Sequence, residues 1–311
     1  MKGIFYSAIV MMLLAPIILY IIFYLGVSET QLEEVYTKIK GDRIAGYATS
    51  IEQDLPRALE ITSKVAIGTA ISYIDMNGIP LDNADERIIE VMENGTIYGS
   101  EFELFESDSI KDWIAAIEEK GHLYGFETNI STLSLEIKPY DSFNVLLSAL
   151  ISVNITDNRD MEIYRIYNES IVVSIEGFED PLYSLNTNGL LKRKFAQAGM
   201  MIDGVTELDT AISNGLYMNS ADGPSFFDRL EGRLETSTKY SSMATNQIGV
   251  ETIVYLPDLS AAGLPIKPEQ ISIDYIYFNS TNIGYPVNNT IHSWLRLGDE
   301  HADIYNVELI K

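Results

Sequence analysis

The chain has 311 residues, with 45 acidic and 21 basic side chains, a formal charge of −24, three histidines and no cysteine. This length suggests one large or two medium domains, and the 46 % of apolar residues excludes a wholly disordered chain. The negative charge argues against nucleic-acid partners and anionic lipid surfaces, both of which are bound by basic residues. Without cysteine, disulfide frameworks, thiolate metal sites and cysteine nucleophiles are excluded.

The first long apolar segment, Ile4–Leu25, predicts a transmembrane signal-anchor within residues 1–27. It is uncharged and interrupted only by Ser7 and Pro16. As a helix it is about 33 Å long, enough to cross the hydrocarbon core of a bilayer. One alternative is a cleaved secretory signal peptide, whose apolar region is normally shorter, and the other is a buried core helix. We expect the segment to stay in the lipid bilayer.

The charges that flank this segment predict its orientation. Lys2 precedes it, whereas Glu29, Glu33 and Glu34 follow it closely. Because positive charge is retained inside the cell, and because no second apolar run of comparable length follows, we expect a single-pass protein of the cell membrane. Its C-terminal domain is then extracellular.

Glycosylation sequons support an exported domain. The pattern Asn-x-Ser/Thr occurs six times and marks candidate acceptors in exported proteins. The candidate sites are Asn94, Asn129, Asn154, Asn168, Asn279 and Asn288.

Residues 28–75 are predicted to form a helical stalk that continues the membrane helix. Leu32, Val35 and Ile39 recur at spacings of three and four residues, and a similar pattern resumes after Gly41. Pro56 is expected to kink the stalk or to start a new helix that Asp54 caps.

Residues 76–190 are predicted to form an α+β domain. A capping box of Asn83 with Glu86 starts one helix that ends at Asn94-Gly95, and Ser109 with Asp112 starts another that Gly121 ends. Alternating apolar residues then indicate three strands near 133–138, 143–156 and 161–175, the last two joined by a turn at residues 157–160. Short loops between long strands are typical of an antiparallel meander, which we expect the preceding helices to cover.

A turn-rich stretch between Glu179 and Gly189 predicts a domain boundary near residue 190. Residues 191–311 are predicted to form a second mixed, β-rich domain. Its expected elements are a helix at Phe195–Met201 and strands at Val250–Leu256, Ile271–Phe278, Thr290–Leu297 and Ile304–Ile310.

Catalytic motifs are absent from the sequence. It contains no phosphate-binding glycine loop, no GxSxG elbow and no HExxH. One weak metal-site candidate combines His292 and His301 with Asp299 and Asp303, if a hairpin brings the two histidines together. A structural or solvated role is the simpler interpretation of these residues, and we predict no catalytic residue and no cofactor.

The amino terminus resembles the archaeal type IV prepilin signal, in which a basic residue and a glycine precede an apolar helix. Lys2-Gly3 followed by Ile4 fits this pattern, and the resemblance implies processing between Gly3 and Ile4. The stretch SIEGFEDPLY, which contains Ile175 to Tyr183, is similar to uncharacterised membrane-anchored archaeal surface proteins. The resemblance implies like subunits or pilus proteins as partners, with the apolar helix in a filament core.

Together these features favour a non-enzymatic, membrane-anchored extracellular surface protein, pilin-like or adhesive. The alternative is an extracellular ligand-binding or sensor domain that signals through a partner. A third hypothesis is a surface hydrolase that uses His292, His301 and nearby carboxylates.

Overall fold

The computed structural model describes residues 2–101, 109–157, 161–279 and 281–311, with side chains from residue 10 onward except those of 25, 27–33 and 101. The architecture is α+β, as the sequence predicts. Its largest sheet is an antiparallel meander of three strands packed against helices.

Helix α1, Lys2–Asn77, is one continuous element that includes the predicted stalk. Pro56 lies inside it and starts no new helix, so of the two expected effects of Pro56 the new helix capped by Asp54 is wrong. The reason lies in the packing: Leu55 and Leu59 on either side are buried, and Asp54 accepts a hydrogen bond from Trp113 Nε1 at 3.0 Å instead of capping a helix.

The predicted membrane span coincides with the first part of α1. Among the helical residues whose side chains are described, no stretch is both long and apolar enough to cross a membrane. The side chains of residues 4–9, which include Ile4 next to Gly3 at the predicted processing site, and that of Leu25 lie outside that description.

Two helices follow α1. Helix α2, Ala84–Asn94, begins after Asn83 and ends at the left-handed Gly95 as predicted, but the Asn83 side chain makes no capping hydrogen bond. Strands β1, Thr96–Ile97, and β2, Ser100–Glu101, form a small hairpin after it.

Helix α3, Ile110–Leu123, carries the predicted capping box of Ser109 and Asp112. It does not end at Gly121, as predicted, but continues to Leu123. Gly121 is buried because α3 lies close to Thr128 and Tyr47 at this point, so the glycine serves packing rather than termination.

The meander consists of β3, Phe126–Pro139, β4, Asn144–Asp157, and β5, Glu162–Ser174, in that order. Both pairings are antiparallel, with a register shift between Thr132 and Ser134 in β3. Of the predicted turn at 157–160, residues 158–160 lie outside the described part of the chain.

Alternation places the apolar face of β4 inward, as predicted. Helix α1 covers β4 and β5, whereas α2 and α3 lie against β3. The buried residues of this face are Val145, Leu147, Ala149, Ile151, Val153 and Ile155.

The remaining chain is less β-rich than predicted, because its elements are short. They are α4 (Pro181–Asn186), α5 (Val205–Asn214), β6 (Tyr217–Ser225), α6 (Phe226–Leu230), α7 (Thr238–Met243), β7 (Gly249–Thr252), α8 (Leu256–Ala261), α9 (Asp274–Asn279), β8 (Tyr285–Pro286), β9 (Arg296–Leu297) and α10 (Asp299–Ile304).

Several predictions for this region are wrong. The predicted helix 195–201 is extended, because the backbone of Phe195 hydrogen-bonds to Gly177 and Phe178. The predicted strand 271–278 turns into α9, which directs Tyr275 and Tyr277 into two different apolar clusters. The predicted strands 290–297 and 304–310 are reduced to β9 and to a single bridge at Leu309.

The largest apolar core extends across the predicted boundary at residue 190. It includes residues of α1 and the meander together with Phe195, Tyr217 and Phe227. A second core joins residues between Ile202 and Tyr305. The two-domain division stays a prediction, since apolar residues from both sides of residue 190 share one interior.

Candidate functional site

A cleft of about 650 Å³ opens between α4, the segment 191–196, the end of α5 and the start of α8. Its lining includes Tyr183, Arg193, Lys194, Ser213, Tyr255 and Asp258. We call it the Arg193 cleft. Basic side chains in a cleft are notable in a chain that carries 24 more acidic than basic residues.

Arg193 is held by its neighbours in one orientation. Its Nη1 donates to the Ile253 carbonyl oxygen at 2.9 Å, and the guanidinium lies 5.6 Å from the Tyr183 ring and 5.8 Å from the Tyr217 ring. Contacts of a guanidinium with aromatic faces are favourable and fix its plane. Burial alone would lower the pKa of Arg193, but Tyr183, Tyr217 and Asp274 raise it, so the group stays charged.

Below the cleft lies a fully buried charge network. Arg229 Nη1 donates to Asp180 at 2.6 Å and to Asp274 at 2.8 Å, and all three side chains are inaccessible to solvent. Asp180 also accepts from the Tyr217 hydroxyl at 2.8 Å and from the Leu182 backbone, where it caps α4. The network therefore ties α4, α6, β6 and α9 together.

Helix α6 positions Arg229. Its capping box, Ser225 with Asp228, fixes the first turn of the helix so that Arg229 points into the interior. Burial by itself would lower the pKa of Arg229, but Asp180 and Asp274 raise it. Burial raises the pKa of Asp274, with a further rise from Asp180 that Arg229 opposes. The network holds two carboxyl groups and one guanidinium, and Asp274 also raises the pKa of the nearby Arg193.

The two lysines beside Arg193 differ in their pairing. Lys192 Nζ lies 2.6 Å from Asp75 and 2.7 Å from Glu179, which raises the pKa of Lys192. Lys194 is exposed and has no ion pair within the described part of the chain. Of these three basic residues, Arg193 and Lys194 therefore remain able to pair with an added anion.

The predicted metal-site residues are not brought together. The His292 ring contacts the rings of Tyr255 and Trp294, and its Nε2 is 3.5 Å from Ser213 Oγ. Asp299 pairs with Lys311 at 2.7 Å, and Asp303 is exposed. Over residues 2–101, 109–157, 161–279 and 281–311, no group of three or more potential ligands is close enough to hold a metal ion.

His301 belongs to a different buried cluster. Its Nε2 is 3.4 Å from Glu251 and 3.4 Å from the Tyr275 hydroxyl, while the Tyr305 hydroxyl donates to Glu251. Burial lowers the pKa of His301, but Glu251, Glu300 and Asp222 raise it, so the net direction is upward. The sequence gives no indication of this pairing, because Glu251 lies 50 residues away in β7.

The predicted sequons fall into two groups. Asn94, Asn129, Asn168 and Asn279 are exposed. The side-chain amides of Asn154 and Asn288 donate to Glu162 at 2.8 Å and to Glu308 at 3.1 Å, and both residues are partly buried. The first group is therefore better placed to accept a glycan.

The sequence interpretation missed the Arg193 cleft, although one signal was present. Lys192, Arg193 and Lys194 are the only run of three basic residues in the sequence. In so acidic a chain, such a run is a departure from the local charge pattern. The buried network was not foreseeable, because Asp180, Arg229 and Asp274 are far apart in sequence.

Comparisons with known protein families, with curated proteins and with solved structures found no match.

Proposed function

We propose that this chain is a non-enzymatic, single-pass membrane-anchored surface protein, pilin-like or adhesive, with its folded head outside the cell. The observation that carries the proposal is the surface of α1. Between Val10 and Tyr24 every large apolar side chain is exposed, from 47 % at Leu14 to 82 % at Met12. An apolar surface of this length on a helix requires a cover, and the hydrocarbon of a bilayer provides one.

The position of the head along α1 supports the same proposal. Among the helix residues whose side chains are described, the first buried apolar one is Ile44, so that apolar packing against the head begins there. At 1.5 Å per residue, the 20 residues between Tyr24 and Ile44 measure about 30 Å. This distance suits a stalk that holds the head clear of the headgroup region.

Membrane association can be tested with two double variants, each of which places two arginines four residues apart on α1. Leu14→Arg with Ile18→Arg places two charges in the apolar segment, at an insertion cost of about 2.5–3.5 kcal/mol each. We expect this variant to leave the membrane pellet after alkaline carbonate extraction, whereas the parent chain remains there. Val35→Arg with Ile39→Arg is the control, because these two residues are equally exposed but lie in the stalk.

A parent chain that alkaline extraction releases, or equal behaviour of the two variants, would refute the anchor. Protease added to intact cells tests the orientation, since an external head is digested and an internal one is protected.

Pilin-type processing is the finer part of the proposal. Mass spectrometry of the membrane-extracted chain should find an N-terminal peptide that starts at Ile4. A peptide that starts at Met1 or Lys2 contradicts processing after Gly3 but leaves the membrane anchor in place.

A second candidate function is an extracellular ligand-binding or sensor domain that signals through a partner. The observation that favours it is the Arg193 cleft, in which a partly buried guanidinium faces open space without a carboxylate in contact. Stabilisation of the full chain by a small molecule would support this candidate.

A further inference from the structure

We propose that the Arg193 cleft binds a small hydroxylated monocarboxylate of the sugar-acid class, with its carboxylate on the unused donors of Arg193. This inference deepens the second candidate function and does not depend on the membrane anchor.

The first argument is the unused hydrogen-bonding capacity of Arg193. A guanidinium has five N–H donors, and buried charges are normally paired. Only Nη1 has partners in the described residues, namely the Ile253 carbonyl at 2.9 Å and, weakly, the Tyr183 hydroxyl at 3.4 Å. Nε and Nη2, the edge that grips a carboxylate with two parallel hydrogen bonds, have none.

The second argument is the space at that edge. Gly215 closes α5 with a left-handed backbone, φ +66°, and lies beside the guanidinium. A Cβ atom at this position would come within 3.2 Å of Arg193 Nη2. The glycine therefore keeps the guanidinium edge accessible as well as ending the helix.

The third argument is that the charge of Arg193 has no contacting counter-ion. Asp180 and Asp274 are engaged by Arg229, and Asp75 and Glu179 by Lys192. Within the described ranges no carboxylate lies within ion-pair distance of Arg193 or of Lys194. An added carboxylate therefore meets two cations that no carboxylate of the described residues contacts.

The remaining lining selects for hydroxyls and a single negative charge. Ser213, Asn214 and Asp258 supply hydroxyl, amide and carboxylate groups, and the Asp258 carboxylate accepts from hydroxyls but repels a second anion. Tyr255 forms a fixed aromatic wall, since its ring lies edge-on to Trp294 at 5.2 Å. A volume of about 650 Å³ is within the range of sites for small molecules.

The test is calorimetric titration of the purified full chain with glucuronate, and with glucose as the neutral analogue that lacks the carboxylate. We expect glucuronate to bind and glucose to bind at least about tenfold more weakly, because charge-assisted hydrogen bonds dominate such contacts. The methyl glycoside of glucuronate distinguishes two sources of the ligand. If it binds as tightly as glucuronate, the ligand is the terminal residue of a glycan; if it binds more weakly, the ligand is the free acid.

Arg193→Gln should weaken glucuronate binding at least about tenfold. Lys194→Gln should weaken glucuronate binding about threefold. Because Lys194 is exposed and has no ion pair, this variant still tests the inference if Arg193→Gln does not fold. Arg57→Gln is the matched control, because it removes one positive charge from an exposed residue of α1 outside the cleft.

Three results would overturn the inference. They are no measurable heat with glucuronate, equal affinity for acetate or phosphate, and an equal effect of Arg57→Gln and Lys194→Gln. Because the titration uses purified chain, its failure leaves membrane association untouched, and loss of membrane association leaves the binding result untouched.

Discussion

At the scale of single residues, Arg229 illustrates how a buried side chain depends on partners that are far away in the sequence. It is fully buried, and it pairs with both Asp180 and Asp274, which approach it from α4 and α9. Breaking a buried ion pair by removing one partner leaves an uncompensated charge in the interior. Arg229 is therefore a stronger determinant of stability than any exposed ion pair of this chain.

We expect Arg229→Ala to lower the free energy of unfolding by about 3–5 kcal/mol. Urea unfolding of the detergent-solubilised chain, followed by tryptophan fluorescence, measures the change. Lys64→Ala is the control, since Lys64 and Glu60 are both half exposed and such an exposed pair contributes little to stability. Equal losses in the two variants would show that the buried network does not contribute as inferred.

His301 predicts a dependence of stability on pH. Burial lowers its pKa, but Glu251, with smaller contributions from Glu300 and Asp222, raises it above the ordinary value of 6.5. The hydroxyl of Tyr275 and the ring of Tyr305 also face the imidazole. A raised pKa means that the folded state binds the proton more tightly than the unfolded state. The stabilisation is therefore complete below pH 6.5 and is lost as the pH rises through the higher value of the folded chain.

We expect the difference in unfolding free energy between the parent chain and His301→Gln to be larger at about pH 5.5 than at about pH 8.5. Using the difference cancels the titration of groups that the two proteins share. His122→Gln is the matched variant, because it replaces a histidine at an exposed position at the end of α3, outside this cluster. A difference that grows with pH would mean that His301 is neutral in the folded chain.

At the scale of elements, the junction of α3 with β3 and α1 depends on a residue without a side chain. A Cβ atom at Gly121 would overlap Thr128 Oγ1 in β3 and would lie 3.1 Å from the Tyr47 hydroxyl in α1. That hydroxyl donates to the Ile117 carbonyl at 2.6 Å, which fixes α3 on α1. Three elements therefore meet where only glycine fits.

We expect Gly121→Ala to lower the free energy of unfolding by about 1–3 kcal/mol through overpacking. Gly46→Ala should instead raise it by about 0.5–1 kcal/mol, because Gly46 is an exposed helical position with open space around it. Denaturant unfolding of both variants decides the matter, and a stabilising Gly121→Ala would show that α3 can move away from Thr128 at little cost.

The elements that could be predicted from the sequence are those with long, regular patterns. Alternating apolar residues identified all three strands of the meander, although the first was predicted only from residue 133 and begins at Phe126, and the sequence around Ser109 and Gly95 marked two helix ends. Short segments failed: the apolar run around Ile273 fits a strand or a helix equally well, and only the two cores that receive Tyr275 and Tyr277 decide between them.

At the scale of the whole molecule, the charge of −24 is the dominant property. Like charges repel in the compact state more than in the expanded one, which lowers stability, and salt screens that repulsion. Ion pairs between residues far apart in sequence, such as Lys40 with Asp157 at 2.7 Å, offset only part of this repulsion between acidic groups.

We expect the thermal midpoint of the full chain to rise by a few degrees when sodium chloride increases from about 0.02 to 0.3 M at pH 7. Near the sequence isoelectric point of about 4.3 the net charge is small, so the salt effect should largely disappear. Scanning calorimetry at the two pH values measures both effects. A midpoint that falls with salt at pH 7 would show that attractive pairs outweigh the net repulsion.

The sequence by itself determined the α+β class, the meander and the long first helix, because each rests on a local periodicity that neighbouring residues specify. It also predicted an apolar anchor, which follows from composition alone. The tertiary structure alone decided that Asp180, Arg229 and Asp274 meet in the interior, that His292 and His301 lie in separate environments, and that Arg193 faces a cleft. The physical reason is that these arrangements depend on contacts between residues far apart in sequence, which no local pattern encodes.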